Sequence, residues 1–167
     1  MKTRLYLLLV VLIFVCSRSI AFSQVAKIPT INGLALGQRH AKDAIIQALG
    51  NPTYYQLDTD DTGNTESFSY ATNTEFGFKD GILERLHIDN ASFKLYDCVY
   101  VGLNQDTVVK LLSQWGLTRI EYDDYGNPCL SFYNLLVGST DQYTDTPFHL
   151  YFNSSHILVN IEYSEQD

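Results

Sequence analysis

Two segments in different halves of the chain share one pattern, and this duplication constrains the fold more than any other feature. Apolar residues recur at helical spacing in LGQRHAKDAIIQALG (36–50) and again in GLNQDTVVKLLSQWG (102–116). The segments end in Gly50 and Gly116, and glycine is typical of the C-terminal end of a helix. We therefore predict one amphipathic helix in each half, with Asn104 and Asp106 as candidate N-caps of the second.

Runs typical of β-strands follow each predicted helix. In the first half they are 66–72, 75–79 and 82–88, and in the second half 117–122, 129–136, 148–152 and 156–163. Asp80-Gly81 between alternating runs is a strong hairpin signal, and we predict a further strand over 93–101 that joins the halves. The expected fold class is α+β, with two tandem repeats that each have a helical segment followed by an antiparallel sheet of about four strands.

The helical segment that ends in Gly50-Asn51-Pro52, with the hairpins after it, resembles the SmpA/OmlA unit of bacterial envelope proteins. Two such units in tandem are similar to the β-lactamase inhibitory protein family of secreted binders, and the resemblance covers residues 31–163. It implies a non-catalytic function in binding another protein. That family has a disulfide in each repeat, whereas here only the second half has the cysteines for one.

Residues 1–23 have the features of a secretory signal peptide. Lys2 and Arg4 precede the apolar run 5–16, and small residues end the segment before Gln24. The alternative is an N-terminal membrane anchor, but an apolar run of about a dozen residues is too short to span a bilayer as a helix. Cys16 follows Val15, where lipidation favours a small residue. We therefore predict cleavage before Gln24, repeats over 24–92 and 93–167, and a periplasmic or secreted protein without a stable membrane anchor.

The charge of the predicted mature chain limits its partners. Three of the eleven basic residues lie in the leader and all nineteen acidic residues follow it, so residues 24–167 have a net charge of −11 (8 − 19). A chain this acidic repels nucleic acid and anionic membranes, and it attracts a basic partner. We expect a protein partner and no nucleic acid.

Two cysteines, Cys98 and Cys129, remain after the leader. An exported protein meets an oxidising compartment, where paired cysteines form disulfides, so we predict a Cys98–Cys129 bond. The alternative is two separate buried thiols, because sequence spacing does not prove connectivity.

The stretch DTDDTGN (58–64) has the composition of either a calcium loop or a tight turn. An EF-hand loop that began at Asp58 would place Thr62 at its fifth position and Ser69 at its twelfth, where a bidentate glutamate is required. Aspartate and glycine are also typical of turns. We predict a turn here and in the similar stretch 123–127.

No sequence motif indicates catalysis, a cofactor or a metal site. The serine hydrolase, phosphate-loop, zincin and dinucleotide fingerprints do not occur. His149 and His156 are candidates for a two-ligand metal site across a hairpin, but the sequence offers no third ligand nearby, so we predict no metal.

The tyrosines suggest a binding surface. Strand alternation in 93–101 and 148–152 places apolar residues on one face and Tyr96, Tyr100, His149 and Tyr151 on the other. Tyrosine on a rigid sheet binds proteins well, although strand propensity alone also explains tyrosine content. We predict a protein-binding module that uses these four residues. The alternative is a small envelope enzyme or ligand carrier with a cystatin-like pocket between helix and sheet.

Overall fold

A computed structural model describes residues 28–71, 73–115, 117–122, 126–133 and 148–164, and the predicted leader lies outside these residues. The described helices are α1 (Lys42–Leu49) and α2 (Gln105–Leu112). The strands are β1 (Thr30–Ile31), β2 (Leu34–Ala35), β3 (Tyr54–Asp60), β4 (Gly63–Ser69), β5 (Glu75–Lys79), β6 (Ile82–Ile88), β7 (Leu117–Tyr122), β8 (Pro128–Tyr133), β9 (Phe148–Phe152) and β10 (Leu158–Ser164). Neither helix is long and apolar enough to cross a membrane.

Eight strands form one antiparallel sheet in the order β3-β4-β5-β6-β10-β9-β8-β7, and β1 and β2 form a separate short hairpin. Neighbours in the sheet are also neighbours in the chain, except where β6 pairs with β10. That pairing places Ile88 opposite Ile161 and Arg85 opposite Ser164. The two halves of the chain therefore meet in the middle of a continuous sheet.

The predicted fold class is wrong. We expected two α+β repeats with a sheet each, whereas the structure is mainly β, with short helices of eight residues and one shared sheet. The physical reason is that two separate four-stranded sheets would leave the backbone groups of β6 and β10 unpaired at their edges. The β6–β10 pairing satisfies those groups within the sheet.

One hydrophobic core spans both halves. Ile45 and Leu49 of α1, and Val108 and Leu112 of α2, belong to the same cluster of buried residues as the apolar face of the sheet. The largest fully buried side chains of that face are Phe68, Phe76, Phe78, Phe132, Phe148 and Phe152. The helices therefore cover one side of the sheet.

Both helices lie within their predicted segments but are shorter than those segments. Helix α1 ends as predicted at Gly50, which has φ +86° and donates its N–H to the Ile46 carbonyl at 2.8 Å. Residues 36–41 are not helical, because their backbone bonds to the sheet: the N–H of His40 donates to the Gly81 carbonyl at 2.7 Å. Helix α2 begins at the predicted cap Asn104, whose Oδ1 accepts from the Thr107 N–H at 2.9 Å.

The hairpin predicted at Asp80-Gly81 is confirmed. Asp80 and Gly81 both have positive φ, +49° and +79°, and they join β5 to β6. Two consecutive residues with positive φ give the turn whose twist matches that of the flanking strands. Strands β5, β6, β7 and β9 have the predicted bounds.

The strand predicted over 93–101 is wrong. This segment turns sharply at Tyr96 and Asp97, which have φ +53° and +61°, and Leu95 exchanges two backbone hydrogen bonds with Val99 at 2.8 and 2.9 Å. Side chains in a tight turn do not alternate between two faces. The face assignment that we derived from strand alternation therefore fails for this segment.

The acidic stretch 58–64 is a turn, as predicted. Asp60 Oδ1 accepts hydrogen bonds from the Thr62 N–H at 2.7 Å and the Thr62 hydroxyl at 2.6 Å, and β3 and β4 pair as far as Asp60 and Gly63. The hydroxyl of Thr62, followed by its backbone N–H, lowers the pKa of Asp60 below its ordinary value of 3.8. Residues 123–125 of the similar stretch lie outside the described residues.

Candidate functional site

The side of the eight-stranded sheet that faces away from the core carries polar side chains, and we call it the outer face. Strand alternation places these side chains between core residues, as His87 lies between Leu86 and Ile88. The outer-face residues that matter below are Tyr54, Ser67, Glu75, Arg85, His87, Ser131, His149, Tyr151, Asn160 and Glu162.

A polar row crosses the middle of the outer face. Successive register pairs place Glu75 opposite His87, His87 opposite Glu162, Glu162 opposite His149, and His149 opposite Ser131. Directly opposed residues on adjacent antiparallel strands have Cβ atoms about 5 Å apart. The row therefore concentrates two carboxylates and two imidazoles across the β6–β10 pairing.

Glu162 accepts two hydrogen bonds from side chains of the outer face. Its Oε1 accepts from His87 Nδ1 at 3.1 Å and from Asn160 Nδ2 at 2.7 Å. Because a carboxylate only accepts hydrogen bonds, this contact requires the proton of His87 to be on Nδ1. The Nε2 atom of a neutral His87 is then a hydrogen-bond acceptor.

An arginine–glutamate ion pair lies beside the row. Arg85 Nη2 donates to Glu75 Oε1 at 3.1 Å and to Ser67 Oγ at 3.1 Å. Both this pair and the His87–Glu162 pair are substantially exposed. Exposed ion pairs contribute only about 0–1 kcal/mol to stability, so these contacts orient charged groups that a partner can still reach.

The Ser131–His149 pair does not provide a nucleophile. Ser131 Oγ lies 3.3 Å from His149 Nδ1, a spacing at which histidine can activate a serine. However, Ser131 is 0% exposed, so a substrate would not reach its hydroxyl. The pair instead fixes the ring of His149 at the half-buried end of the row.

Two of the four predicted binding residues lie together on the outer face. His149 and Tyr151 both belong to β9, with ring centroids 6.3 Å apart. Tyr151 is opposite Cys129 on one side and Asn160 on the other, and it is half-buried. The residues that alternate with them on this strand, Phe148, Leu150 and Phe152, are in the core as predicted.

The placement of Tyr96 is wrong, and Tyr100 is also not on the sheet. Tyr96 is only 2% exposed, its ring stacks on Trp115 with centroids 4.8 Å apart, and its edge meets Phe132 at 5.9 Å. This burial raises the pKa of Tyr96 far above its ordinary value. Tyr100 is half-buried in the segment before α2, with Lys94 Nζ 5.8 Å from its ring. The four predicted residues therefore do not form one site.

The alternative metal site at His149 and His156 is also wrong. His156 lies in the β9–β10 turn with φ +58° and bonds Gln105 Oε1 at 2.7 Å, whereas His149 lies opposite Glu162 within the sheet. Among the described residues, no group of three His, Cys, Asp or Glu side chains could hold a metal ion.

The structure does not contain the predicted disulfide. Cys98 and Cys129 are two thiols that are not joined to each other, with Cys98 half-buried and Cys129 buried. Cys98 lies in the turn segment that replaces the predicted joining strand, whereas Cys129 lies on β8. This corresponds to the alternative that the sequence left open.

Sequence reasoning missed Glu75, His87 and Glu162 as members of the site. Alternation in 82–88 already places Arg85 and His87 opposite the apolar residues of that strand. No local signal shows that β10 is the neighbour of β6, and that pairing brings Glu162 to His87.

Comparisons with known proteins leave the family open. No model of a known protein family matches this chain, and no curated protein does so either. Among solved structures, a 1.5 Å crystal structure of an extracellular protein that contains a SCP domain, from Bacillus anthracis, is 15% identical, with a TM-score of 0.42. The match covers 78% of this chain and 44% of that one. A likeness this weak carries no argument about fold or function, and the SmpA/OmlA resemblance stays a prediction.

Proposed function

We propose that this protein is a secreted or periplasmic, non-catalytic module that binds a protein with a basic surface through the outer face of its sheet. The observation that supports this most is the polar row: Glu75, His87, Glu162 and His149 are aligned on four adjacent strands, with Tyr151 beside them. Carboxylates and imidazoles held in register on adjacent strands are a suitable template for a complementary surface.

The charge of the molecule favours a basic partner. Residues 24–167 have a net charge of −11 (8 − 19), and both carboxylates of the row are accessible. Long-range attraction of this kind raises association rates and weakens as salt is added. Tyr151 adds an aromatic contact of the type enriched at binding hot spots.

The alternative of an enzyme or ligand carrier receives less support. That hypothesis predicts a pocket between helix and sheet, lined by converging histidine and acidic side chains. In the structure those side chains converge on the outer face, and the residues between helices and sheet belong to the apolar core. The Ser131–His149 contact on that face has its hydroxyl buried.

The test compares an outer-face acid with a matched acid on the other side of the sheet. Residues 24–167 are immobilised and exposed to envelope extract, and the affinity of any captured protein is measured for the wild type, Glu162→Gln, Tyr151→Ala and Asp106→Asn. Asp106 is exposed in the first turn of α2. A hot-spot residue contributes about 2 kcal/mol or more, so we expect Glu162→Gln or Tyr151→Ala to weaken binding about thirty-fold.

Asp106→Asn should bind like the wild type, and binding of the wild type should weaken between low and high salt. Wild-type affinity in both outer-face variants, with both variants folded, would show that the binding surface is elsewhere.

A further inference from the structure

Gly77 lies in the middle of β5, where glycine weakens a strand relative to alanine. Its backbone does not explain the glycine, because its φ is not positive and other residues adopt such a conformation. The β-bulge at this point does not explain it either. The register pairs Gly77 with Arg85 and Phe78 with Leu83, so the extra residue of the bulge is on β6. The reason for the glycine therefore lies in what covers it.

The side chain of Arg85 occupies the space that a side chain on Gly77 would need. A β-carbon on Gly77 would lie 2.5 Å from Cγ and from Nε of Arg85, and 2.9 Å from its Cδ. Carbon and nitrogen atoms of different residues do not approach each other so closely without a bond. Arg85 therefore crosses β5 over Gly77, which is buried although it lies on the outer face.

Beyond Gly77, the guanidinium of Arg85 is held by two acceptors. Its Nη2 donates to Ser67 Oγ on β4 at 3.1 Å and to Glu75 Oε1 on β5 at 3.1 Å. Ser67 is the register partner of Gly77, so the guanidinium reaches it by passing directly over the glycine. The side chain of Arg85 is nevertheless 55% exposed. The outer face thus has a cation in a fixed position that a partner can reach.

The bonded atom leaves most of the donors of Arg85 available. A guanidinium has five N–H groups, and both hydrogen bonds are made by Nη2. Within the described part of the chain, Nε and Nη1 have no protein acceptor, so water satisfies them in the free protein. A partner that covers Arg85 must supply acceptors, because buried donors without them are costly. A carboxylate fits best, since its two oxygens match the fork of an arginine.

We propose that Gly77 is a positioning residue of the binding surface, and that the Arg85 guanidinium which it admits binds a carboxylate of the partner. This inference rests on the proposed function. Arg85 is the diagonal neighbour of Glu162 across the β6–β10 pair, a separation of about 7–8 Å. The partner therefore presents an acidic side chain close to a basic one. A surface that is basic throughout is disfavoured, because it would leave Arg85 facing like charge.

A double-variant cycle tests the positioning role of Gly77 without any partner. Urea denaturation is measured for residues 24–167 as wild type, Gly77→Ala, Arg85→Ala and the double variant. In the Arg85→Ala background the new methyl group no longer meets Arg85, so Gly77→Ala should raise the urea midpoint. In the wild type it should raise the midpoint less or lower it, because it displaces Arg85 from its two acceptors. Equal changes in both backgrounds would overturn the positioning role.

The sign of the effect of Arg85→Ala on binding tests the carboxylate. The affinity of a protein captured from envelope extract is measured for the wild type and each variant. If the partner were basic throughout, Arg85→Ala would remove a repulsive charge and tighten binding. If a carboxylate binds Arg85, the variant should bind about thirty-fold more weakly, as for a hot-spot residue. Lys79→Ala removes the same charge at the other end of β5, and as the matched control it should not weaken binding.

Gly77→Ala should also weaken binding, with no further loss when it is added to Arg85→Ala. Tighter or unchanged binding of Arg85→Ala, together with weaker binding of Glu162→Gln, would overturn the carboxylate contact and leave the proposed function intact. A wild type that captures no protein would contradict the proposed function and the carboxylate contact with it. The urea cycle would still decide whether Gly77 holds Arg85 in place.

Discussion

At the scale of single residues, Tyr96 shows how packing can outweigh backbone strain. A left-handed backbone costs an ordinary residue about 1–2 kcal/mol, and Tyr96 has φ +53°. Full burial of a large side chain contributes about 1.5–3 kcal/mol, and an aromatic pair adds about 0.5–1.5 kcal/mol. The stack on Trp115 and the edge contact with Phe132 therefore offset the strain.

The first prediction follows from this burial. Tyr96→Ala should lower the free energy of unfolding by about 3–5 kcal/mol, by analogy with other buried aromatics. Tyr151→Ala, on the outer face, is the matched control and should have a clearly smaller effect because Tyr151 is only half-buried. Urea denaturation of residues 24–167 measures both. Equal losses in the two variants would mean that Tyr151 also supports the core.

At the scale of secondary structure elements, periodic segments could be predicted and contacts between distant segments could not. The apolar stripes placed both helices, and alternation gave the bounds of β5, β6, β7 and β9. Strand β3 was missed because its alternation is weak: Tyr55 packs against the core, but the other residues of this edge strand are exposed. The segment 93–101 alternates in sequence, but its turn at Tyr96 and Asp97 depends on tertiary packing.

The same limit applies to the candidate site. Local alternation placed His149 and Tyr151 on the correct side of β9, because that depends only on neighbours in sequence. The contact of His87 with Glu162 joins residues from different halves of the chain, and it depends on the β6–β10 register. No periodicity within either strand contains that information.

A second prediction concerns the helix caps. Asn104 caps α2 through its side chain, whereas Ala41 at the same position of α1 makes no side-chain cap bond. Asn104→Ala should lower the free energy of unfolding by about 1 kcal/mol, and Ala41→Asn should raise it by up to a similar amount. Thermal or urea melts of both variants provide the measurement. No change for Asn104→Ala would show that other contacts fix the start of α2.

At the scale of the whole molecule, the predicted processing of the chain makes its net charge more negative. Removal of residues 1–23 would take away three basic residues and no acidic ones, which changes the net charge from −8 to −11. If the proposed function is correct, the processed protein attracts its basic partner more strongly than the full chain does.

The third prediction is the mass of the exported protein. Cleavage before Gln24 gives a chain of residues 24–167, and cyclisation of Gln24 would remove one ammonia from it. Intact mass spectrometry of protein from an extracytoplasmic fraction distinguishes this chain from the full one. A mass that retains Lys2 or Arg4 would instead support a membrane anchor.

The pairing of β6 with β10 also has a consequence for how fast the protein folds. Every other contact between neighbouring strands of the large sheet joins segments that follow each other in the chain, whereas Ile88 and Ile161 are 73 positions apart. Pairing of distant segments requires closure of a long loop before any contact compensates for the lost chain entropy, and this slows folding. We infer that each meander of four strands forms early and that their union at β6 and β10 determines the folding rate.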